Sequence, residues 1–221
     1  MADWLNITFY SFDRSAFLWV HELAKNSGDA LTPLVKFVTS LGHAGWAFIV
    51  LGLILLLFKN TRKAGFTVLV AILFGFIFTN LLLKNIIARP RPYVAEEEYC
   101  GFWKFINGEL ESEKSFPSGH ATVTCAAMTA LFFSFNKKIS WVAFLFAIFM
   151  GFTRVYLVVH YLTDVLAGLI VGAIAGTLAM FARNFFYDIF EMSKDAKAVD
   201  FFLNFDIISC VKKLKKDKNQ D

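Results

Sequence analysis

The sequence predicts an all-α membrane protein, a polytopic helical bundle with five transmembrane helices, six being the alternative, and interfacial helices at its N-terminus. Three observations lead there. Apolar residues make up 57% of the 221 and charged residues only 18%, against roughly 25% charged in soluble domains. The mean hydropathy is +0.56. Charged side chains are also absent from five long stretches, and none of these alternates with the period of two that a transmembrane β-barrel requires. A disordered chain is excluded, and an ordinary soluble globule is disfavoured. The three cysteines, Cys100, Cys125 and Cys210, are odd in number and contain no C-x-x-C pair, so neither a disulfide framework nor a thiolate zinc site is expected.

Taken in order, the uncharged stretches are Phe37–Phe58 (22 residues), Ala64–Leu83 (20), Ser115–Asn136 (22), Ile139–Thr153 (15) and Val165–Ala182 (18). A helix crosses the hydrocarbon core with about 20 apolar residues, within a range of roughly 17–25. Four stretches meet that length. The short one reaches it through Val155–Val159 if Arg154 faces protein or water rather than lipid. The first 36 residues carry Asp13, Arg14, Glu22, Lys25, Asp29 and Lys36, and each charge at mid-bilayer costs about 2.5–3.5 kcal/mol on insertion scales. One or two short interfacial helices are therefore expected over residues 1–36 in place of a sixth span. The membrane domain is expected over 37–183. Residues 184–221 read as a cytoplasmic tail with an amphipathic patch at Val199–Cys210 and a solvated or lipid-facing basic end at Lys212, Lys213, Lys215, Lys216 and Lys218, with a partly disordered tail as the alternative.

Lys and Arg set the orientation. Lys59, Arg62 and Lys63 separate the first two spans, Lys137 and Lys138 separate the third and fourth, and the tail is basic. All three segments fall on one side, which is expected to be cytoplasmic. The opposite side then holds residues 84–114 and the turn at His160. The net charge of +4 suits an anionic membrane surface and gives little reason to expect a nucleic-acid partner.

Ionisable groups at the ends of spans are costly and mark function. Lys84 closes the second span, followed by Arg89-Pro90-Arg91-Pro92. The third span opens on Phe116-Pro117-Ser118-Gly119-His120, and the fourth and fifth meet between Arg154 and Asp164. The orientation puts all three groups at one membrane face. Lys84, Arg91 and Arg154 together make a site for a concentrated anion, with phosphate the natural candidate. Pro117-Ser118-Gly119 ahead of an apolar helix supplies backbone N–H groups and a hydroxyl to the same anion. His160 and Asp164 share a helical face, so the carboxylate can hold one imidazole nitrogen and leave the other free to attack. His120, a second imidazole, suits proton donation to a departing oxygen. This set reads as covalent phosphoryl transfer stabilised by fixed cations.

The three groups resemble the signatures of the type 2 phosphatidic acid phosphatase superfamily of integral membrane lipid phosphatases: K-x6-R-P at Lys84 through Arg91-Pro92, P-S-G-H at Pro117–His120, and S-R-x5-H-x3-D at Arg154 through His160 to Asp164. The one departure is Thr153, where the family has serine. The resemblance covers about Leu41–Arg183. It implies His160 as the nucleophile forming a phosphohistidine, Asp164 as its orienting partner and His120 as the acid. Lys84, Arg91, Ser118, Gly119 and Arg154 would bind the phosphoryl oxygens. It also implies catalysis with no metal or other cofactor, on phosphatidate, phosphatidylglycerol phosphate or polyprenyl diphosphates. The chain looks most like bacterial members such as undecaprenyl-diphosphate phosphatases, which implies a bacterial cell membrane and a site on its non-cytoplasmic face. A lipid phosphotransferase on the same scaffold and a non-catalytic lipid-phosphate binder or transporter are the alternatives, and the oligomeric state is open. Outside the signatures, Arg89 rivals Arg91 by position and is expected at lipid headgroups. His43 and His21 read as interfacial polar residues, Glu96-Glu97-Glu98 as a solvated loop, and Tyr93 and Trp103 as part of an interfacial aromatic belt.

Overall fold

The computed structural model describes residues 1–112 and 114–217. Ten helices carry the architecture: α1 (Ala2–Thr8), α2 (Tyr10–Leu41), α3 (Trp46–Leu56), α4 (Arg62–Ile87), α5 (Glu97–Phe105), α6 (Gly119–Ser134), α7 (Lys137–Tyr156), α8 (Leu162–Met192), α9 (Lys197–Asn204) and α10 (Ile207–Asp217). Among the described residues the only β-type pairing is an isolated bridge between Pro90 and Lys114. The all-α expectation holds. Among the described residues three helices, α4, α7 and α8, are long and apolar enough to cross a membrane, and the Ala30–Leu41 part of α2 with His43–Leu56 makes a fourth candidate if their 43° bend lies within one broken span. The difference from five lies in α6. It has 16 residues, about 24 Å at 1.5 Å per residue, and the uncharged residues flanking it form turns.

α6 is the centre of the bundle. Every residue from Ala121 to Ala130 is buried, and α8, α4 and α7 pack around it. Its side chains are small (Ala, Thr, Cys), which lets neighbouring backbones come close. On α8 the facing positions are Gly168, Gly172 and Gly176, spaced by four so that they form one stripe. A Cβ at Gly172 would lie 2.5 Å from the Thr122 carbonyl oxygen, and one at Gly168 would lie 2.7 Å from that of Ser118. This is the small-x3-small contact by which membrane helices associate without a hydrophobic driving force.

The N-terminal region differs from the expected short interfacial helices. α2 runs 32 residues, kinked at Ser27, continues unbroken across residue 36 and packs along α7. Two of its polar residues are paired inside the bundle: Asp13 is buried in a charge network and Thr39 meets Arg154. At its end the chain turns through Gly42 and through Ala44 and Gly45, both at positive φ. Gly42 is needed there, since a Cβ would come within 2.8 Å of the His120 ring.

α8 runs on past residue 183 to Met192, and the segment beyond it folds back onto the bundle. Arg62 donates to the carbonyl oxygens of Leu203 and Phe205, and the Ile207 N–H donates to the Leu57 carbonyl. The amphipathic patch is therefore docked helix, split between α9 and α10, while Lys218 lies outside the described residues. The α3–α4 turn and the tail share one end of the bundle. Lys84, on the same helix as Arg62 but 22 residues further on, stands at the other.

Replacing Gly172 with alanine is expected to lower stability by about 1–3 kcal/mol, the usual cost of overpacking. The check is thermal unfolding of the purified protein in detergent. Gly101→Ala, where an added methyl meets nothing within 4 Å, is expected to leave the transition unchanged or slightly raised.

Candidate active site

Four chain segments converge at the end of the bundle that carries Lys84. α4 passes through a π-helical stretch, Ile77–Leu83, whose wider turn resets the face on which Lys84 emerges. Ala88, at φ +48°, then reverses the chain into Arg89-Pro90-Arg91-Pro92. Between α7 and α8 the turn is tighter still. Val158 adopts φ +55°, a strained conformation for a β-branched residue, and the N–H groups of Val159 and His160 both bond to the Arg154 carbonyl. Arg154 and His160 thereby stand side by side. α6 begins with Ser118 as its N-cap, and the Ser118 N–H donates to the Asp164 carbonyl at 3.0 Å. The glycine stripe holds the α6 and α8 N-termini at this separation.

His160 is buried, and its Nδ1 lies 3.5 Å from Asp164 Oδ2. Its Nε2 lies 3.0 Å from Arg91 Nη1. With the proton on Nδ1 towards the carboxylate, Nε2 presents its lone pair. Burial, and after it the charges of Arg91, Arg154 and Lys84, push the imidazole well below its ordinary value, which favours the neutral ring. Asp164 stands behind the ring, accepting from Arg89 Nη1 at 2.7 Å and from the Tyr161 N–H at 3.1 Å.

His120, His160, Lys84, Arg91 and Gly119 all line one cavity of about 640 Å³. A smaller cavity of about 170 Å³ adjoins it at His120, lined also by Arg154, Thr39 and Lys36. Arg154 is buried, donating to Thr39 Oγ1 at 2.6 Å and to Glu111. Its Nε has no partner among the described residues. Seven of the eight residues singled out from the signatures thus face or directly support this pair of cavities. Ser118 does not: it is fully buried and its hydroxyl caps α6, leaving Gly119 and His120 to form the wall there.

The structure adds residues to the site and its supports, and moves others from where the sequence places them. Arg89 is 1% exposed and pairs with Asp13 and Asp164, so it cannot reach lipid headgroups. Its burial, with the ring of Tyr161 beneath its guanidinium at 3.5 Å, is a tertiary fact. Glu111 bonds Arg154 and approaches Arg91 at 3.8 Å. Burial would raise its carboxyl, but Arg154 and then Arg91 outweigh that and hold it below the usual carboxylate range. His43 lines both cavities, its ring centroid 6.2 Å from that of His120. Tyr93 is buried and stacked on Trp103 at 4.8 Å, packing the loop that carries Glu111 instead of standing at the membrane interface. The acidic run is no free loop either, since Glu97 and Glu98 open α5 and Glu98 pairs with Arg14.

The model of the PAP2 superfamily matches residues 64–187, a range that includes all three signatures. The chain is 29% identical over 168 residues to the undecaprenyl-diphosphatase BcrC of Bacillus subtilis, covering 73% of this chain and 79% of that one. It is 31% identical over 153 residues to phosphatidylglycerophosphatase B of the same organism, covering 63% and 70%. Among solved structures it is similar to Aquifex aeolicus LpxE, with a TM-score of 0.58 and 25% identity over 72% of this chain and 93% of that one. The signatures, their gathering at two adjoining cavities at one end of the bundle and the family match agree: this chain belongs to the PAP2 superfamily.

Proposed function

We propose that the protein hydrolyses a phosphomonoester or diphosphate bond of an amphipathic lipid, without a metal, through a phosphohistidine on His160. The observation that carries this reading is the two-part lining of the larger cavity. At one end stand Lys84, Arg91, His120 and His160. At the other are Ile49, Leu69, Ile72, Leu73 and Phe76 from α3 and α4. A phosphate joined to a long apolar chain matches both halves, whereas a soluble phosphate ester leaves the second unused. The names of the relatives, an undecaprenyl-diphosphatase and a phosphatidylglycerophosphatase, favour a lipid phosphate or diphosphate over other esters. The basic segments Lys59–Lys63 and Lys137–Lys138 lie at the bundle end opposite the site, which supports an active site on the non-cytoplasmic face.

The chemistry follows from the atoms present. The phosphoryl group binds among Lys84, Arg91, Arg154 and the Gly119 end of α6, whose dipole favours negative charge. His160 Nε2 attacks phosphorus as the bond to the leaving oxygen breaks, and His120 gives that oxygen a proton. Asp164 orients the imidazole and stabilises the positive charge it acquires. In the second half, His120 takes a proton from water, the resulting hydroxide displaces His160 from phosphorus, and inorganic phosphate leaves. For a diphosphate substrate the leaving oxygen belongs to the lipid monophosphate. The cations that stabilise the transition state are side chains fixed before substrate arrives, so little reorganisation is required.

His160→Ala is expected to abolish phosphate release from detergent-solubilised phosphatidate, phosphatidylglycerol phosphate and polyprenyl diphosphate, with membrane insertion unchanged. Asp164→Asn is expected to lower kcat by roughly 10²–10⁴, the scale seen when the carboxylate of a His–Asp pair is neutralised. Glu111 occupies cations that the substrate needs, so Glu111→Gln is expected to lower KM and tighten inhibition by inorganic phosphate. A raised KM would instead give Glu111 a part in holding substrate. Incubation with EDTA is expected to leave turnover intact, and a loss reversed only by a divalent ion would replace this mechanism with a metal-dependent one.

A further inference from the structure

We propose that Asp13, in the first turn of α2, is a positioning residue for the nucleophile that acts through Arg89 and Asp164. The proposal rests on the reading of His160 as nucleophile and Asp164 as its partner. Asp13 lies outside the matched family region, 151 positions from Asp164 in the chain, yet its side chain is essentially inaccessible. One of its oxygens, Oδ1, accepts from the Thr163 N–H at 2.9 Å, satisfying a free donor at the start of α8. The other, Oδ2, accepts from the Thr163 hydroxyl at 2.8 Å and from Arg89 Nη2 at 2.9 Å. Arg89 spends its remaining donors on Asp164 Oδ1 at 2.7 Å, Thr163 Oγ1 at 2.8 Å and Asn6 Oδ1 at 2.7 Å.

Two consequences follow for the imidazole. The first is geometric. A guanidinium fork beside a single carboxylate tends to bind it with two parallel hydrogen bonds. Asp13 takes one arm of the fork, so Arg89 holds only Oδ1 of Asp164, and Oδ2, which accepts from the Tyr161 N–H, is left 3.5 Å from His160 Nδ1. The second is electrostatic. Arg89 and Asp164 alone would form a neutral pair, with no net charge to stabilise the imidazolium that forms when Nε2 bonds to phosphorus. With Asp13 the three groups sum to one negative charge, buried directly behind the ring, where low dielectric makes it effective. The α1–α2 segment thus does more than cover the bundle: Asn6 accepts a hydrogen bond from Arg89, and Asp13 completes the charge arrangement on which the nucleophile depends.

A double-mutant cycle tests this. Asp13→Asn is expected to lower kcat about tenfold or more with KM nearly unchanged, the pattern of an interaction made only in the transition state. In an Asp164→Asn background the same change is expected to cost less than about threefold, because the partner through which Asp13 acts is gone. Asp13→Glu, which restores the charge, is expected to recover most of the lost kcat. Equal losses in both backgrounds, or a loss confined to the amount of folded protein, would make Asp13 a structural anchor and overturn the proposal. Should Asp13→Asn fail to fold, Arg89→Lys carries the same cycle, since it keeps the charge but loses the fork, and additivity there overturns the proposal equally. Full activity of Asp164→Asn by itself would instead overturn the underlying mechanism.

Discussion

The close approach of α6 and α8 is the constraint on which the site depends. Gly168, Gly172 and Gly176 bring the two backbones near enough that the Ser118 N–H reaches the Asp164 carbonyl. That bond ties the start of the helix bearing His120 to the start of the helix bearing Asp164, and His160 is carried in the turn just before. Interiors pack too densely for such a contact to adjust by more than a few tenths of an ångström. A side chain in the glycine stripe would therefore be felt at the imidazoles as a displacement, and phosphoryl transfer is sensitive to displacements of that size.

Around this contact the charges are arranged in two tiers. Arg91, Arg154 and Lys84 face the cavities, where an anion can neutralise them, and Glu111 does so in their resting arrangement. Arg89 is turned inward, its charge met by Asp13 and Asp164. Two arginines separated by a single proline thus have opposite tasks. Extended backbone at Arg91 and the left-handed Ala88 point one guanidinium at the cavity and the other at the carboxylates behind His160. Breaking a buried pair by removing one partner strands a charge, so neither arginine can be exchanged without consequence for the other tier.

The fold class was legible because charge is costly in hydrocarbon, so its absence over about 20 residues is a strong signal. Most of the candidate site was legible for the complementary reason: Lys84, Arg91, His120, Arg154, His160 and Asp164 are polar groups at the ends of apolar stretches, where only function justifies them. The G-x3-G-x3-G spacing on α8 was also available as a pattern and could have forecast the close helix contact. Asp13 and Glu111 carried no such signal. Each sits among other charged residues in a segment of ordinary polarity, and nothing local distinguishes Asp13 from Asp29 or Glu111 from Glu109.

Composition and periodicity by themselves determined that this chain is helical and of the membrane, which residues are candidates for its chemistry, and at which end of the bundle those candidates gather. Those properties depend on solvation and on helical repeat, both of which act locally along the chain. Only the tertiary structure decided that α2 continues through a kink at Ser27 and across residue 36, that α6 is a short central core, that the tail docks on Arg62, and that Asp13, Arg89 and Asp164 form a single charged unit. Such features arise where residues far apart in sequence share a counter-charge or a close contact, and that pairing exists only once the chain is folded.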